Sequence, residues 1–184
     1  MLISTKPTTD PQEKIRSAME QILAAMCCCP DRLQVRLLPS HRKPILVVSC
    51  ARTDYGAILG KKRSMLIALQ LLTCVVAHKH GMEMELILDK IDWHEEVAEI
   101  RHPDRDGWDA DAFEKLITLF CSELFHSCSV AIEPAASSVV KVTILVRDAF
   151  LRFLPSDVEE KIRTVFNCVG AVKGRRVLVE LLQE

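Results

Sequence analysis

The chain has 184 residues, 49% of them apolar and 27% charged, with a net charge of −1 at neutral pH. That length suits one ordinary domain or two small ones, and the apolar share excludes wholesale disorder. No apolar run approaches the roughly 20 residues needed to span a bilayer, and no apolar signal segment opens the chain, so a cytoplasmic location without a membrane partner is expected.

The near-neutral total conceals a split. Residues 1–88 hold 12 Lys and Arg against 7 Asp and Glu, whereas residues 89–184 hold 12 against 18. Residues 89–111 alone carry 3 basic and 9 acidic side chains, which leaves 112–184 balanced. The basic half is the one suited to an anionic partner.

Residues 1–10 read as a flexible arm. Asp10-Pro11-Gln12-Glu13 then starts a helix: Asp10 can cap, Pro11 suits the first helical position, and Glu13 has capping-box spacing. Ile15, Met19, Ile22, Leu23 and Met26 share one face of that helix, and Pro30 lies beyond its end. Leu33, Val35 and Leu37 alternate as a half-buried strand. Ser40 to Pro44, with His41, Arg42 and Lys43 at the tip, is a solvated turn before the apolar strand Ile45 to Cys50.

From Asp54 to Gly81 the chain reads as a short helical turn, a tight basic loop and a long apolar helix. Tyr55, Ile58 and Leu59 form a small apolar face ahead of Gly60-Lys61-Lys62-Arg63. Ser64 is placed to cap the next helix, in which Met65, Leu66, Leu69, Leu72, Val75 and Val76 recur at helical spacing. Gly81 stands where a C′ glycine would stop it. Met82, Met84, Leu86 and Leu88 then alternate as a third strand.

Residues 89–108 form an acidic linker, in which Trp93 and Trp108 read as anchors and Val97 and Ile100 share a helical face with Trp93. His94, Glu95, Glu99 and His102 do not make His-Glu-x-x-His, because Ala98 holds the fifth position, and they read as a charged surface. The stretch 109–184 repeats the first pattern. A helix capped from Asp111 places Phe113, Leu116, Ile117, Phe120 and Leu124 inward. Strands follow at Ser129–Ile132 and Val140–Val146, around a turn at Pro134–Ser138. A helix from Asp157 to Ala171, a stop at Gly174 and a strand over Val177–Leu182 complete it. Leu71–Ala77 aligns with Val165–Ala171, which points to a duplicated unit. That alignment sets Gly60-Lys61-Lys62-Arg63 near Leu154-Pro155-Ser156-Asp157, a sequence that starts a helix well but repels phosphate. Lys173, Arg175 and Arg176 read as a solvated turn.

Cys27, Cys28 and Cys29 are consecutive at a helix end, and Cys50, Cys74, Cys121 and Cys168 fall in apolar patterns. These read as buried free thiols, not as a disulfide framework or a zinc site, since no Cys-x-x-Cys occurs. No cofactor or metal is expected.

The order helix, two strands, two helices with Ile58-Leu59-Gly60-Lys61-Lys62-Arg63 between them, then a strand, resembles the KH domain of prokaryotic type II, in particular the small bacterial KH-domain RNA-binding proteins. The resemblance covers residues 11–88 and is carried by Asp54, Gly56, Ile58, Leu59, Gly60, Lys61 and Lys62. It implies an α+β fold of two tandem αββααβ units, each a three-stranded sheet covered on one face by helices, with 109–184 a degenerate KH-like copy. It also implies that the Gly-x-x-Gly loop clamps the backbone of about four nucleotides whose bases lie in an aliphatic groove. The second glycine of that pattern is Arg63 here.

On this reading Gly60, Lys61, Lys62 and Arg63 hold the backbone of a single-stranded RNA or DNA, Ile58 and Leu59 shape the groove, and Gly56 and Arg52 border it. The single Tyr and two Trp argue against stacking platforms. The alternative is a protein-interaction module that keeps the fold with little RNA affinity, its second copy standing where a partner subunit would in a pseudo-dimer. The chain shows no nucleophile elbow, P-loop or metal-ligand spacing, and an enzyme is not expected.

Overall fold

The computed structural model describes residues 10–40, 43–90, 108–136, 138–147 and 155–184. The first half runs α1 (Pro11–Met26), β1 (Gln34–Leu38), β2 (Ile45–Ser49), α2 (Arg52–Leu59), α3 (Ser64–Lys79) and β3 (Glu85–Leu88). The second runs α4 (Ala110–Leu124), β4 (Cys128–Ala136), β5 (Val139–Val146), α5 (Val158–Val172) and β6 (Arg176–Gln183). The protein is α+β. The arm over 1–9, the turn residues His41 and Arg42, Ser137, Leu154, and the linker residues Trp93, His94, Glu95, Val97, Glu99, Ile100 and His102 lie outside the described residues.

Each half builds a three-stranded sheet in chain order, β1-β2-β3 and β4-β5-β6. In both, the first pair is antiparallel and the second parallel. A parallel neighbour requires a crossover, which α2 and α3 supply in the first half and the segment containing α5 in the second. The central strand β2 is the one that reads as a continuous apolar run, and Leu46, Val47 and Val48 are all buried.

The helices of the two halves face each other. α1 packs on α4 and α3 on α5, with the sheets outside, so four layers share one apolar core. Phe120 and Phe166 meet edge-on within it, their centroids 6.0 Å apart. Met65, Leu69, Leu72, Thr73, Val76 and Ala77 of α3 have buried counterparts, at one constant spacing, in Val158, Ile162, Val165, Phe166, Val169 and Gly170 of α5. That spacing corrects the expected alignment by one residue, since Ala77 matches Gly170. The same C-terminal motif closes both helices. The Met82 N–H reaches Ala77 O at 3.1 Å and the Arg175 N–H reaches Gly170 O at 2.8 Å. Gly81 and Gly174 supply the left-handed residue each time.

Cross-half polar contacts sit at the C-terminus of α3. Lys79 Nζ donates to the carbonyl oxygens of Ser122 and Phe125, the latter at 2.8 Å, and so places a cation on the negative end of α4. His80 Nε2 lies 3.3 Å from Glu123 Oε2.

Several local expectations change. Asp109, not Asp111, caps α4, accepting from the Ala112 N–H at 3.0 Å. The Asp10 cap forms as expected, accepting from Gln12 N–H at 3.1 Å, but Glu13 turns to Arg16 at 2.7 Å instead of completing a box. β4 continues through Pro134, Ala135 and Ala136, which read as a turn. β4 is an edge strand with a register shift at that point, the setting in which a strand tolerates proline. Leu116 is only half-buried. Among the cysteines, Cys27 and Cys121 are buried and Cys74 is exposed, while the others are intermediate. Cys74 falls on the face of α3 that neither sheet nor partner helix covers. Trp108 is half-buried, 4.8 Å from Phe113 between ring centroids, with Arg175 of the expected solvated turn over its ring at 5.6 Å.

Candidate nucleic-acid interface

α2 is too short to be stable alone, and it owes its place to what it buries. Of its eight residues only Asp54 and Ile58 are buried. Ile58 is 0% exposed and sits in the core, so it supports the surface from beneath and cannot touch a base. Asp54 is 1% exposed. Its Oδ1 accepts from the Cys28 N–H at 2.7 Å and its Oδ2 from the Cys29 N–H at 2.9 Å. Burying a carboxylate is costly unless donors replace its water, and these two N–H groups do so. The carboxylate also lies in the first turn of α2, where the helix dipole favours it. Desolvation raises the Cys28 thiol pKa, with the Asp54 charge second.

Gly60 ends α2. Its N–H bonds Gly56 O at 2.9 Å, and its φ of 69° lies in the region that favours glycine. A Cβ there would meet Met65 Cβ at 2.6 Å and Met65 N at 2.7 Å, so the loop passes against the start of α3. Lys61, Lys62 and Arg63 make a single tight turn, with the Arg63 N–H bonding Gly60 O at 3.1 Å. Lys62 (φ 54°, ψ 31°) and Arg63 (φ 64°, ψ 18°) are both left-handed. Position 63, where the family pattern has its second glycine, thus keeps a glycine-like backbone although arginine occupies it.

Lys61, Lys62 and Arg63 are exposed. Among the described residues, none of their side chains takes part in an ion pair or hydrogen bond. Several cations elsewhere are matched. Arg16 pairs with Glu13 and Glu20, Arg36 with Asp89, Lys43 with Glu85, Lys141 with Glu180, and Arg163 with Glu159. Ser64 does not cap α3. It is the first helical residue, Arg63 holds the cap position, and neither a side-chain cap nor an acidic residue neutralises the first turn. Three cations therefore adjoin the positive end of a 16-residue helix.

Arg52 and Gly56 are exposed on α2 and Leu59 is half-buried. A Cβ added at Gly56 would meet nothing within 4 Å, so no internal packing demands glycine there. The second half presents a different charge. Asp157, Glu159 and Glu160 surround the start of α5, pairing with Lys161 and Arg163. With the corrected alignment the counterpart of the basic loop is 153–156, of which only Pro155 and Ser156 are described, both exposed.

Sequence reasoning flagged Asp54 through the family pattern but gave it no role. Its partners lie 25 and 26 positions away on backbone groups, which no spacing rule reports. Among the described residues no three His, Cys, Asp or Glu side chains converge to hold a metal ion. Nor is any described helix long and apolar enough to cross a membrane. Compared with known proteins, the chain matches no family profile and no curated sequence.

Proposed function

We propose that the first half binds single-stranded RNA, without catalysis, through the loop Gly60-Lys61-Lys62-Arg63. The observation that carries this reading is three consecutive cations, without counter-ions among the described residues, beside an uncapped helix start. The phosphodiester backbone lies across the loop, taking charge from Lys61, Lys62 and Arg63, while Gly60 keeps the turn tight and Gly56 leaves the adjoining helix low. Leu59 gives the groove its aliphatic floor, the buried Ile58 holds that floor from beneath, and Arg52 stands at its far end. The resemblance to KH domains supports the same assignment, and a single-stranded DNA is bound by the same phosphate contacts.

Lys61→Asp combined with Lys62→Asp tests this directly. Binding to short single-stranded RNA is lost while circular dichroism and thermal unfolding stay close to wild type. The wild-type protein also shows a negative slope of log affinity against log salt, about 0.7 per phosphate neutralised. Unaltered affinity in the double variant removes the reading.

A second reading, a protein-interaction module with little RNA affinity, is favoured by Leu178 and Leu182, 43% and 42% exposed on the outer face of β6. It predicts that Leu178→Lys with Leu182→Lys abolishes capture of a protein partner and leaves oligonucleotide titrations unchanged.

A further inference from the structure

We infer that Asp54 is a positioning residue for the basic loop: it fixes α2, and with it Gly60, by gripping the backbone of the α1–β1 connection. The inference rests on the reading that this loop binds a polynucleotide. Among the described residues Asp54 is the one carboxylate that is buried, and Thr73 the only other buried polar side chain. Thr73 is accounted for locally, since its Oγ1 donates to Leu69 O at 2.8 Å within α3. Asp54 is not, because its acceptors reach two donors on a separate element.

The geometry is that of a short lever held at two points. Ile58 sits in the core two residues before the loop, and Asp54, one turn earlier, holds the first turn. No side chain caps α2 at either end, and Ala51 and Gly60 offer none that could. With Ile58 alone, an eight-residue helix has one buried anchor about which to swing, and Gly60 moves with its end. Both Asp54 oxygens are used, so α2 is fixed in rotation as well as in distance. Cys29 Sγ lies 3.8 Å from Thr53 Oγ1, so the same two segments touch beside the clamp. Clamping with a carboxylate also leaves the loop's own charges unused, which keeps Lys61, Lys62 and Arg63 available to phosphate.

Asp54→Asn tests this, because an amide can accept one of the two N–H groups but turns its own donor toward the other. Two quantities are measured: polarisation of labelled single-stranded RNA, and peptide-resolved amide hydrogen exchange. Affinity falls by about tenfold or more, equivalent to about 1.4 kcal/mol, although every loop cation remains. Exchange quickens over residues 51–64 and 27–33 and is unchanged in α4, α5 and the second sheet. Unchanged exchange over 51–64 overturns the inference, as does a uniform acceleration across both halves, which marks general destabilisation. Should the variant not fold, the wild-type protein decides. The Cys28 and Cys29 amides lie outside any helix or strand yet exchange slowly, and exchange at the rate of an open loop overturns the clamp. If wild-type protein binds no RNA, the proposed function fails, while the exchange result still decides the role of Asp54 in holding the loop.

Discussion

At the scale of single residues, backbone conformation and residue type disagree at one place. Arg63 adopts φ 64° and Lys62 φ 54°, in a region where a β-carbon crowds the following carbonyl. Arg63→Gly therefore stabilises the protein by about 0.5–1 kcal/mol, read as a higher urea midpoint, partly offset by the greater freedom of glycine in the unfolded chain. On the proposed function the same variant weakens RNA binding, because it removes a guanidinium placed to meet phosphate. Stronger binding would show instead that Arg63 obstructs the strand. Two glycines nearby give opposite outcomes for one substitution. Gly56→Ala stabilises by about 1 kcal/mol, since alanine suits a helix and its Cβ meets nothing. Gly60→Ala destabilises, since its Cβ would press on Met65 Cβ at 2.6 Å and the backbone φ is positive. Equal effects of the two in chemical denaturation would contradict this account of the loop.

At the scale of elements, the apolar periodicities are legible because they encode burial, and burial is what folding selects. Ile15, Met19, Ile22 and Leu23 occupy the core, and so do Leu69, Leu72 and Val76. Helix stops are legible where glycine must turn left-handed, as at Gly81 and Gly174. Helix starts are less so. Asp109 and Asp111 offer the same side chain, and only the backbone path decides that Asp109 reaches the Ala112 N–H. Ser64 has a suitable side chain, yet the left-handed turn at Lys62 and Arg63 brings it into the first helical position. The basic loop was legible as charge and glycine. Asp54 was legible as a residue but its role was not, because its bonds join backbone to side chain across elements. The contact of Lys79 with α4 is of the same kind. Lys79→Met lowers stability by about 1–2 kcal/mol, measured by chemical denaturation, because the terminal carbonyl groups of α4 lose a charged donor. A change within error would show that water serves those carbonyls equally well.

At the scale of the whole molecule, the two halves share one core, with α1 on α4 and α3 on α5. Buried thiols give that core a pH dependence. Burial pushes Cys27 and Cys121 above the ordinary thiol value of 9.0, with the Asp54 charge a second cause at Cys27. Below pH 9 both states hold the proton, and stability is unaffected. As pH rises beyond that value the unfolded chain releases its protons and the folded one does not. Stability then falls, by up to about 1.4 kcal/mol per pH unit for each thiol. Urea midpoints measured under reducing conditions between about pH 8 and 10.5 show this decline, and Cys27→Ala with Cys121→Ala makes it shallower, leaving the share of Cys28, Cys128 and Cys168. The charge of the molecule is divided between its halves, since acidic residues begin α5 while cations begin α3. On the proposed function, that asymmetry predicts one polynucleotide site per molecule.

The central claim is tested most directly by titrating labelled short single-stranded RNA with wild-type protein and with the Lys61→Asp, Lys62→Asp variant, at several salt concentrations. Saturable, salt-sensitive binding of one strand per wild-type molecule, absent from the variant, is the predicted result. Equal affinity in both proteins, or no binding by either, would contradict it.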